Sequence, residues 1–439
     1  MSGLVGVASW MYVKGTLAVV TPGITATVAA DGTGTWRTIR DALAAVVPGT
    51  TLRVKPGIYR EALVIEKAVE VIGEGNLGEV VIEVRDSAAV VLDTDRAGLR
   101  NLVIRATGTQ STTSGAVWVK RGRPVIEGCA LTSAIGAGMY VSGPSSDPTV
   151  RECRFTDGKS AGILVYDNGK GTFERCAVTG NVLAGIEVKE GGAPTVRDCT
   201  FADGKDAGIY VHMNGKGTFE RCTVTGSGNT GIAVKEGGDP TVRDCRVADG
   251  KSVGILVLEN GKGTFERCAV TGNALAGIKV QTGGDPTVRD CRVADGRNAG
   301  VYVLENGKGS FERCAVTGNA LAGIEVSGGG DPTVWDCGVA DGKSGGIFVN
   351  TNGKGTFERC EVTGNALAGI KVWLVADPTV RDCTIRGNRD DGITILASGK
   401  GTITGCTLTA NTPAQWFVEP GAGGTRRGNL PEAPRQGWG

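Results

Sequence analysis

Residues 171–192 read GTFERCAVTGNVLAGIEVKEGG, and this stretch decides the fold of the chain. Apolar side chains alternate with polar ones at Cys176 and Val178, and again at Ile186 and Val188. Such period-two alternation predicts short, half-buried strands. Gly and Asn separate the apolar segments, as turns require. We therefore expect three short strands and three turns in each unit of this kind.

The unit recurs along most of the chain and carries one cysteine per repeat. The first gap between successive cysteines is 24 residues, and the other eleven gaps are 23 residues. The cysteines are Cys129, Cys153, Cys176, Cys199, Cys222, Cys245, Cys268, Cys291, Cys314, Cys337, Cys360, Cys383 and Cys406. A fixed period of this length is typical of stacked repeats. We predict an all-β fold, a right-handed single-stranded parallel β-helix of 23 residues per coil and about 14 to 16 coils, with a short N-terminal capping helix.

Stacking would place these cysteines in one inward-facing ladder, with neighbours about 4.8 Å apart. Their number is odd, C-x-x-C pairs are absent from the sequence, and side chains that all point the same way do not suit disulfide geometry. We interpret them as small buried hydrophobes rather than as disulfides or metal ligands. Because free thiols favour a reducing compartment and no signal peptide is evident, we expect a cytoplasmic location, and secretion stays open.

Two columns of charged residues precede the cysteines, and their signs alternate from coil to coil. The first column reads Arg151, Glu174, Arg197, Glu220, Arg243, Glu266, Arg289, Glu312, Trp335, Glu358 and Arg381. The second reads Glu152, Arg175, Asp198, Arg221, Asp244, Arg267, Asp290, Arg313, Asp336, Arg359 and Asp382. Opposite charges in contact would fix the coil register, and Trp335 is the one break.

The same pattern balances the overall charge. The chain has 47 basic and 46 acidic residues, for a net charge of +1 at pH 7. A nucleic-acid or anionic-membrane surface would need an unbalanced basic face. We therefore expect neither nucleic acid nor a membrane as a partner.

Composition divides the chain into four parts. Residues 1–27 form an N-terminal extension, 28–75 the N-terminal cap and first coils, 76–411 the β-helix repeats, and 412–439 a C-terminal cap and flexible tail. The tail is rich in Gly and Pro.

The cap contains the only helical pattern that we identify. Thr38 stands at a helix N-cap position, and Ile39, Ala42, Leu43 and Val46 lie on one helical face. A helix here would cover the open edge of the first coil, which repeat proteins must protect.

Several motifs resemble those of a known superfamily. They are Ala30-Asp31-Gly32-Thr33-Gly34, Thr38-Ile39-Arg40-Asp41-Ala42-Leu43, Pro56-Gly57-Ile58-Tyr59-Arg60-Glu61, and the Pro-Thr-Val-x-Asp-Cys and Gly-Ile-x-Val units of the coils. They look like right-handed β-helix proteins of the carbohydrate-binding and sugar-hydrolase superfamily, which is NosD-like and pectinesterase- or pectate-lyase-like. The resemblance implies this fold, together with either activity on polysaccharides or a non-enzymatic interaction role.

The catalytic residues that the pectinesterase resemblance implies are not found in the sequence. It implies two aspartates, an arginine and oxyanion-stabilising glutamines on successive coils, and none of the four glutamines lies in those motifs. The one acidic cluster that could serve a pectate-lyase-like calcium site contains Asp86, Asp93, Asp95 and Arg105. The single histidine, His212, is interpreted as a surface position on a strand. We assign no catalytic residue, no metal site and no cofactor.

The outward positions of the Gly-Ile-x-Val units are apolar on alternate coils, where solvent exposure would favour polar residues. The candidate binding residues are Tyr140, Leu164, Tyr166, Tyr210, His212, Leu256, Leu258, Tyr302, Leu304, Phe348 and Trp373. Contiguous exposed apolar surface marks binding sites, and Tyr and Trp are favoured anchors. The alternative is that these residues only reflect strand propensity.

Two functional hypotheses follow. The first is a non-catalytic β-helix scaffold or binding domain that recognises a protein partner, itself or a glycan along this outward sheet. A protein partner or self-association is favoured, and a glycan is the third option. The alternative is a polysaccharide-acting enzyme, a pectate lyase or a pectinesterase-like carbohydrate esterase, with its site on the irregular early coils or on the same face.

Overall fold

The computed structural model describes residues 9–13, 16–20, 23–109 and 114–432. It is a right-handed parallel β-helix of about 17 turns, in which successive coils add strands to three parallel sheets. The sheets contain 18, 16 and 16 strands. This confirms the predicted fold class and the 23-residue coil, although the solenoid is slightly longer than the expected 14 to 16 coils.

The first sheet carries the Thr-Val-Arg and Thr-Phe-Glu segments. Its strands are Thr25–Val28, Thr51–Val54, Glu70–Gly73, Gly98–Arg100, Val125–Glu127, Thr149–Arg151, Thr172–Glu174, Thr195–Arg197, Thr218–Glu220, Thr241–Arg243, Thr264–Glu266, Thr287–Arg289, Ser310–Glu312, Thr333–Trp335, Thr356–Glu358, Thr379–Arg381, Thr402–Thr404 and Thr425–Arg427.

The second sheet follows each cysteine. Its strands are Gly57–Tyr59, Val80–Arg85, Val103–Thr107, Ala130–Ser133, Arg154–Thr156, Ala177–Thr179, Thr200–Ala202, Thr223–Thr225, Arg246–Ala248, Ala269–Thr271, Arg292–Ala294, Ala315–Thr317, Gly338–Ala340, Glu361–Thr363, Thr384–Arg386 and Thr407–Thr409.

The third sheet carries the Gly-Ile-x-Val segments. Its strands are Leu63–Ile65, Val90–Asp93, Val117–Arg121, Met139–Ser142, Ile163–Tyr166, Ile186–Val188, Ile209–Val211, Ile232–Val234, Ile255–Val257, Ile278–Val280, Val301–Val303, Ile324–Val326, Ile347–Val349, Ile370–Val372, Ile393–Ile395 and Trp416–Val418.

The two ends differ from the regular coils. Ser9–Val13 and Thr16–Val20 pair antiparallel, apart from the three sheets. The stacking continues past residue 411 through Trp416–Val418 and Thr425–Arg427. Residues 433–439 of the expected flexible tail lie outside the described residues.

The one α-helix that the structure describes, Ile39–Ala45, caps the first coils. Thr38 is its N-cap, and its hydroxyl oxygen accepts a hydrogen bond from the Asp41 amide at 3.0 Å. The buried Glu61 carboxylate accepts from the Ile39 and Arg40 amides, both at 2.8 Å. A negative charge on free amides at a helix N-terminus is favourable. The predicted apolar face, with Ile39, is buried.

The cysteines line the core as one ladder. All 13 are buried and free, which confirms their interpretation as core residues rather than disulfide partners. Their sulfurs contact backbone carbonyls and the next coil. For example, Cys268 Sγ lies 3.3 Å from the Glu266 carbonyl oxygen, and the Cys268 amide donates to Cys291 Sγ at 3.3 Å.

The alternating charges form the predicted ladder of ion pairs on the first sheet and its following turn. In the first column Arg243 Nε lies 2.9 Å from a Glu266 carboxylate oxygen. In the second column Arg267 Nε lies 2.7 Å from an Asp244 oxygen. Trp335 pairs with Glu312 on one side and Glu358 on the other. Two carboxylates there flank an aromatic ring instead of a guanidinium.

The buried thiols should be protected from solution chemistry. We expect a disulfide-exchange reagent to label none of the 13 cysteines in the folded protein and all of them after denaturation. Because no disulfide joins them, a reducing agent should leave the midpoint of thermal unfolding unchanged. Rapid labelling without denaturant, or a loss of stability on reduction, would contradict this arrangement.

Replacing Trp335 should repair the break in the charge ladder. Trp335→Arg would place a guanidinium between the Glu312 and Glu358 carboxylates. We expect the free energy of unfolding to rise by about 0.2–1 kcal/mol at low salt, and the gain to shrink at high salt. Trp335→Gln is the matched control, since it removes the ring without adding charge. An equal gain in both variants, measured by urea unfolding, would exclude an electrostatic cause.

Candidate binding face

The third sheet presents two outward side chains per coil, the x residue of Gly-Ile-x-Val and the residue after the valine. We call this surface the third-sheet face. Strand alternation creates it, because Ile186 and Val188 point into the core while Glu187 points outward. Parallel pairing then aligns equivalent residues of successive coils, for example Glu325 with Phe348 and Phe348 with Lys371.

The structure places all of the predicted binding residues on this face. Leu164, Tyr166, Tyr210, Leu256, Leu258, Tyr302, Leu304 and Phe348 are half-buried, and Trp373 is exposed. Tyr140 and His212 have relative exposures of only 6% and 7%. The expectation of solvent exposure is therefore wrong for these two residues.

Neighbouring aromatic and small residues cover Tyr140. Its ring centroid lies 6.3 Å from that of Trp118 and 6.4 Å from that of Tyr166. Its hydroxyl oxygen accepts from the Ala137 amide at 3.0 Å. Together with Ala161, these residues form a small apolar cluster outside the main core. Outward-pointing aromatic residues on adjacent coils thus bury one another.

His212 is buried by stacking and by two carboxylates. Its ring lies parallel to that of Tyr210, with the centroids 4.2 Å apart. Nε2 is 3.0 Å from Glu187 Oε1, and Nδ1 is 3.4 Å from Glu236 Oε2. Carboxylates only accept hydrogen bonds, so the imidazolium form, which donates from both nitrogens, satisfies both partners. Burial raises the pKa of the Glu187 carboxyl, but its hydrogen bond with His212 and the charge of Lys189 together lower it below its ordinary value.

A groove of about 300 Å³ opens further along the face. Leu321 and Leu367 stand on its two sides, two coils apart, and Leu321 is 46% exposed. The coil between them has Ser344 at the equivalent position, which leaves a recess beside Phe348. The groove is therefore an apolar hollow between two leucine ridges.

Three charged side chains also line the groove, namely Glu325, Lys371 and Asp390. Glu325 and Lys371 lie on either side of Phe348 in the sheet. Lys371 Nζ is 5.6 Å from the centroid of the Phe348 ring and 5.9 Å from that of Trp373, within the range of cation–π attraction. Burial raises the pKa of the Glu325 carboxyl, and a hydrogen bond from Asn350 only partly opposes this.

Sequence reasoning missed the leucine ridges. An Asn-Ala-Leu-Ala-Gly segment recurs every 46 residues and contains Leu275, Leu321 and Leu367. This recurrence was the signal in the sequence that could have identified the ridges. They lie in turns, where the alternation that assigns strand side chains to a face does not apply. Only their exposure, beside the recess at Ser344, identifies them as part of the face.

The candidate acidic cluster of the early coils is partly engaged by arginine. Arg121 Nε lies 2.9 Å from Asp93 Oδ1, and Arg121 Nη1 lies 3.8 Å from Asp95 Oδ1. Asp86 lies 3.3 Å from Arg85, and Arg105 belongs to a second-sheet strand while Asp93 belongs to the third sheet. The structure does not assemble these four predicted residues into one site.

Two features are absent from the described residues. They contain no group of three or more His, Cys, Asp and Glu residues placed to hold a metal ion. In the same part of the chain, no helix is long and apolar enough to cross a membrane.

A larger hollow of about 930 Å³ lies on the early coils, between the third and first sheets. Its lining includes the exposed cations Arg96, Arg123 and Lys170, together with Asp95 and Asp147. The charges are mixed, and the hollow has no single sign to attract an ion.

Comparison with known families gives one extensive match. The family described as "Right handed beta helix region" matches residues 87–239, 184–337 and 277–426. Among curated proteins, the F-box protein dre-1 of Caenorhabditis elegans is 37% identical over 68 residues, which are 15% of this chain. The chain covers about 7% of the length of that relative.

Solved structures of similar fold are distant in sequence. The pectin methylesterase of Aspergillus niger has 15% identity and a TM-score of 0.34, with 53% of this chain and 81% of that chain covered. The A-module of mannuronan C-5 epimerase AlgE4 from Azotobacter vinelandii has 15% identity and a TM-score of 0.31, with 91% and 94% covered. With 15% identity and TM-scores below 0.5, neither likeness bears on what this chain does.

The raised pKa of Glu325 predicts a pH-dependent cost to folding. The folded chain holds this proton more tightly than the unfolded chain, in which the carboxyl has its ordinary pKa of 4.5. Stability therefore falls as the pH rises from 4.5 through the folded-state value. We expect Glu325→Gln to raise the free energy of unfolding at pH 7, and the difference from wild type to vanish below pH 4.5. Urea titrations at several pH values measure this. A gain that is independent of pH would point to a cause other than the buried charge.

Proposed function

This chain belongs to the right-handed β-helix family, and we propose that it is a non-catalytic binding scaffold whose third-sheet face holds a partner. That partner would be a protein, a second copy of the chain or a glycan. The groove beside Phe348 carries the proposal, since it combines apolar ridges, an aromatic floor and charged groups of both signs.

The exposed ridges support binding because they have no role in the core. Leu321 and Leu367 are both about half exposed, although the inward positions of the same coils already fill the core. Because half of each side chain is already covered, full burial by a partner would add roughly half of the usual value for a leucine, about 0.8–1.5 kcal/mol. Aromatic residues and aliphatic ridges around a recess are the usual centre of an interface, with polar groups at its rim.

The face also has the rigidity that a scaffold needs. The x residues of its Gly-Ile-x-Val units stand on strands that are paired on both sides through most of the solenoid. A preorganised surface lowers the entropic cost of association. A partner therefore meets a fixed row of contacts rather than a mobile loop.

A matched pair of variants tests the proposed function. Leu321→Asp places a charge in the groove, and Leu183→Asp places one at the equivalent turn position outside it. The two leucines are 46% and 45% exposed, so the cost to folding should be similar. We expect Leu321→Asp to lower affinity for the partner about tenfold or more, since it leaves a charge against apolar surface, and Leu183→Asp to leave affinity unchanged.

The assay would combine binding and turnover. Purified protein is tested against polyuronates, neutral glycans and itself, while unsaturated products, released methanol and new reducing ends are measured in parallel. Turnover on any glycan would contradict the non-catalytic role and favour an enzyme. If neither leucine variant lowers the affinity, the binding site lies elsewhere on the molecule.

A further inference from the structure

We propose that the groove beside Phe348 takes an arginine side chain of a partner protein, whose guanidinium donates to the Glu325 carboxylate while its apolar stem fills the recess. This inference rests on the proposed function and narrows the partner from three classes to one. Two equivalent places on the third-sheet face carry it, one that has its own cations and one that lacks them.

The place with cations lies six coils before the groove. Glu187 pairs there with Tyr210 of the next strand. His212 completes the arrangement, because its ring lies parallel to that of Tyr210 and its Nε2 is 3.0 Å from Glu187 Oε1. Lys189 Nζ is 3.6 Å from the same oxygen. A glutamate in this outward column, beside an aromatic ring, is thus a site that two basic side chains of the chain occupy.

The groove repeats the glutamate and the ring without the basic residues. Glu325 pairs with Phe348, and the two basic positions carry the neutral Ser327 and Asn350. Asn350 Nδ2 donates to Glu325 Oε1 over 3.4 Å, and Oε2 has no hydrogen-bond partner among the described residues. Within that part of the chain, no basic side chain forms an ion pair with this carboxylate. Glu325 therefore lines the groove as an acid without a counter-ion.

The two carboxyls differ in pKa because of these neighbours. Burial raises the pKa of both. At Glu187 the hydrogen bond with His212 and the charge of Lys189 bring the pKa below its ordinary value. At Glu325 only the hydrogen bond from Asn350 opposes burial, and the pKa stays raised. A cation that reaches Glu325 would remove this cost of burying its charge, so the carboxylate favours a cationic partner.

Lys371 does not supply that cation. It stands two coils after Glu325 in the outward column, about 9.6 Å along the sheet. Its ammonium lies 5.6 Å from the ring centroid of Phe348 and 5.9 Å from that of Trp373. Asp390 adds a second acidic group to the lining. The groove thus has two carboxyl groups and one ammonium, and its net charge at pH 7 favours a cation.

The same charge disfavours a glycan. A neutral glycan would leave Glu325 buried without a counter-ion, and a polyuronate would bring further negative charge against Glu325 and Asp390. The volume argues in the same direction, because about 300 Å³ is the lower limit of ligand sites and suits one side chain better than a row of sugar rings.

Arginine fits this groove better than lysine. A guanidinium is planar and weakly hydrated, and it donates two parallel hydrogen bonds to one carboxylate, as Glu325 with its free Oε2 can accept. The apolar stem would lie in the recess beside Ser344, against the ring of Phe348. The ridges formed by Leu321 and Leu367 would cover the two sides of that stem.

Calorimetric titration of the full chain with three capped tripeptides tests this inference. Their sequences are Leu-Arg-Leu, Leu-Lys-Leu and Leu-citrulline-Leu, and citrulline keeps the shape of arginine without its charge. We expect the arginine peptide to bind wild type about tenfold or more tightly than the citrulline peptide, with the lysine peptide between them. Glu325→Gln should remove the difference between the arginine and citrulline peptides, because the carboxylate is lost.

Glu187→Gln is the matched control variant. It removes a carboxylate of the same column whose cations belong to the chain itself, so the preference for arginine should remain. Circular dichroism reports whether both variants fold. Equal affinity of wild type for the arginine and citrulline peptides, or a preference that survives Glu325→Gln, would overturn the inference. No binding of the arginine peptide at millimolar concentration would overturn it as well.

Two further results separate this inference from the proposed function. If Leu321→Asp weakens binding of a partner that shows no preference for arginine, the groove remains the binding site and only the arginine is excluded. Sedimentation velocity of wild type and Glu325→Gln examines the source of the side chain. A wild-type dimer that Glu325→Gln dissociates would show that a second copy provides the cation, and would overturn a different protein as its source.

Discussion

The hydrogen-bonded register between successive coils is the constraint on which the rest of this structure depends. Each strand pairs in parallel with the strand one coil later, so equivalent residues such as Ile186 and Ile209 stack directly. Every side chain therefore meets its own repeat equivalent. A residue type is acceptable at a position only if it can stack on its neighbours about 4.8 Å away.

The cysteines and the charges are two solutions to that constraint. Inside, a small buried thiol stacks on its equivalents and donates to nearby carbonyls, as Cys268 does with Glu266. Outside, a repeated charge would repel itself, and alternation over 46 residues converts that repulsion into pairs such as Arg243 with Glu266. The apolar outward residues of the third sheet, such as Leu256, Tyr302 and Phe348, follow the same period of 46 residues. The candidate site therefore shares the two-coil period of the charges.

Much of the fold was predictable because it depends on local patterns. The 23-residue period, the strand alternation, the inward cysteines and the cap with Thr38 all appear in the order of residues. The candidate site was predictable only in part. Its outward column was identified, but the burial of Tyr140 and His212 was missed, since it comes from neighbours on adjacent coils. Leu321 and Leu367 were missed because a turn has no fixed face.

The sequence by itself therefore determined which residues repeat, which of them face the core and which charges alternate, since these follow from the spacing along the chain. Tertiary structure alone decided how far each outward side chain is covered. Exposure depends on the sizes of the residues one coil above and below, as the small Ser344 between Leu321 and Leu367 shows. The recess exists because Ser344 is smaller than the leucines one coil before and one coil after it. Each of these leucines is 23 residues away from Ser344 in the chain.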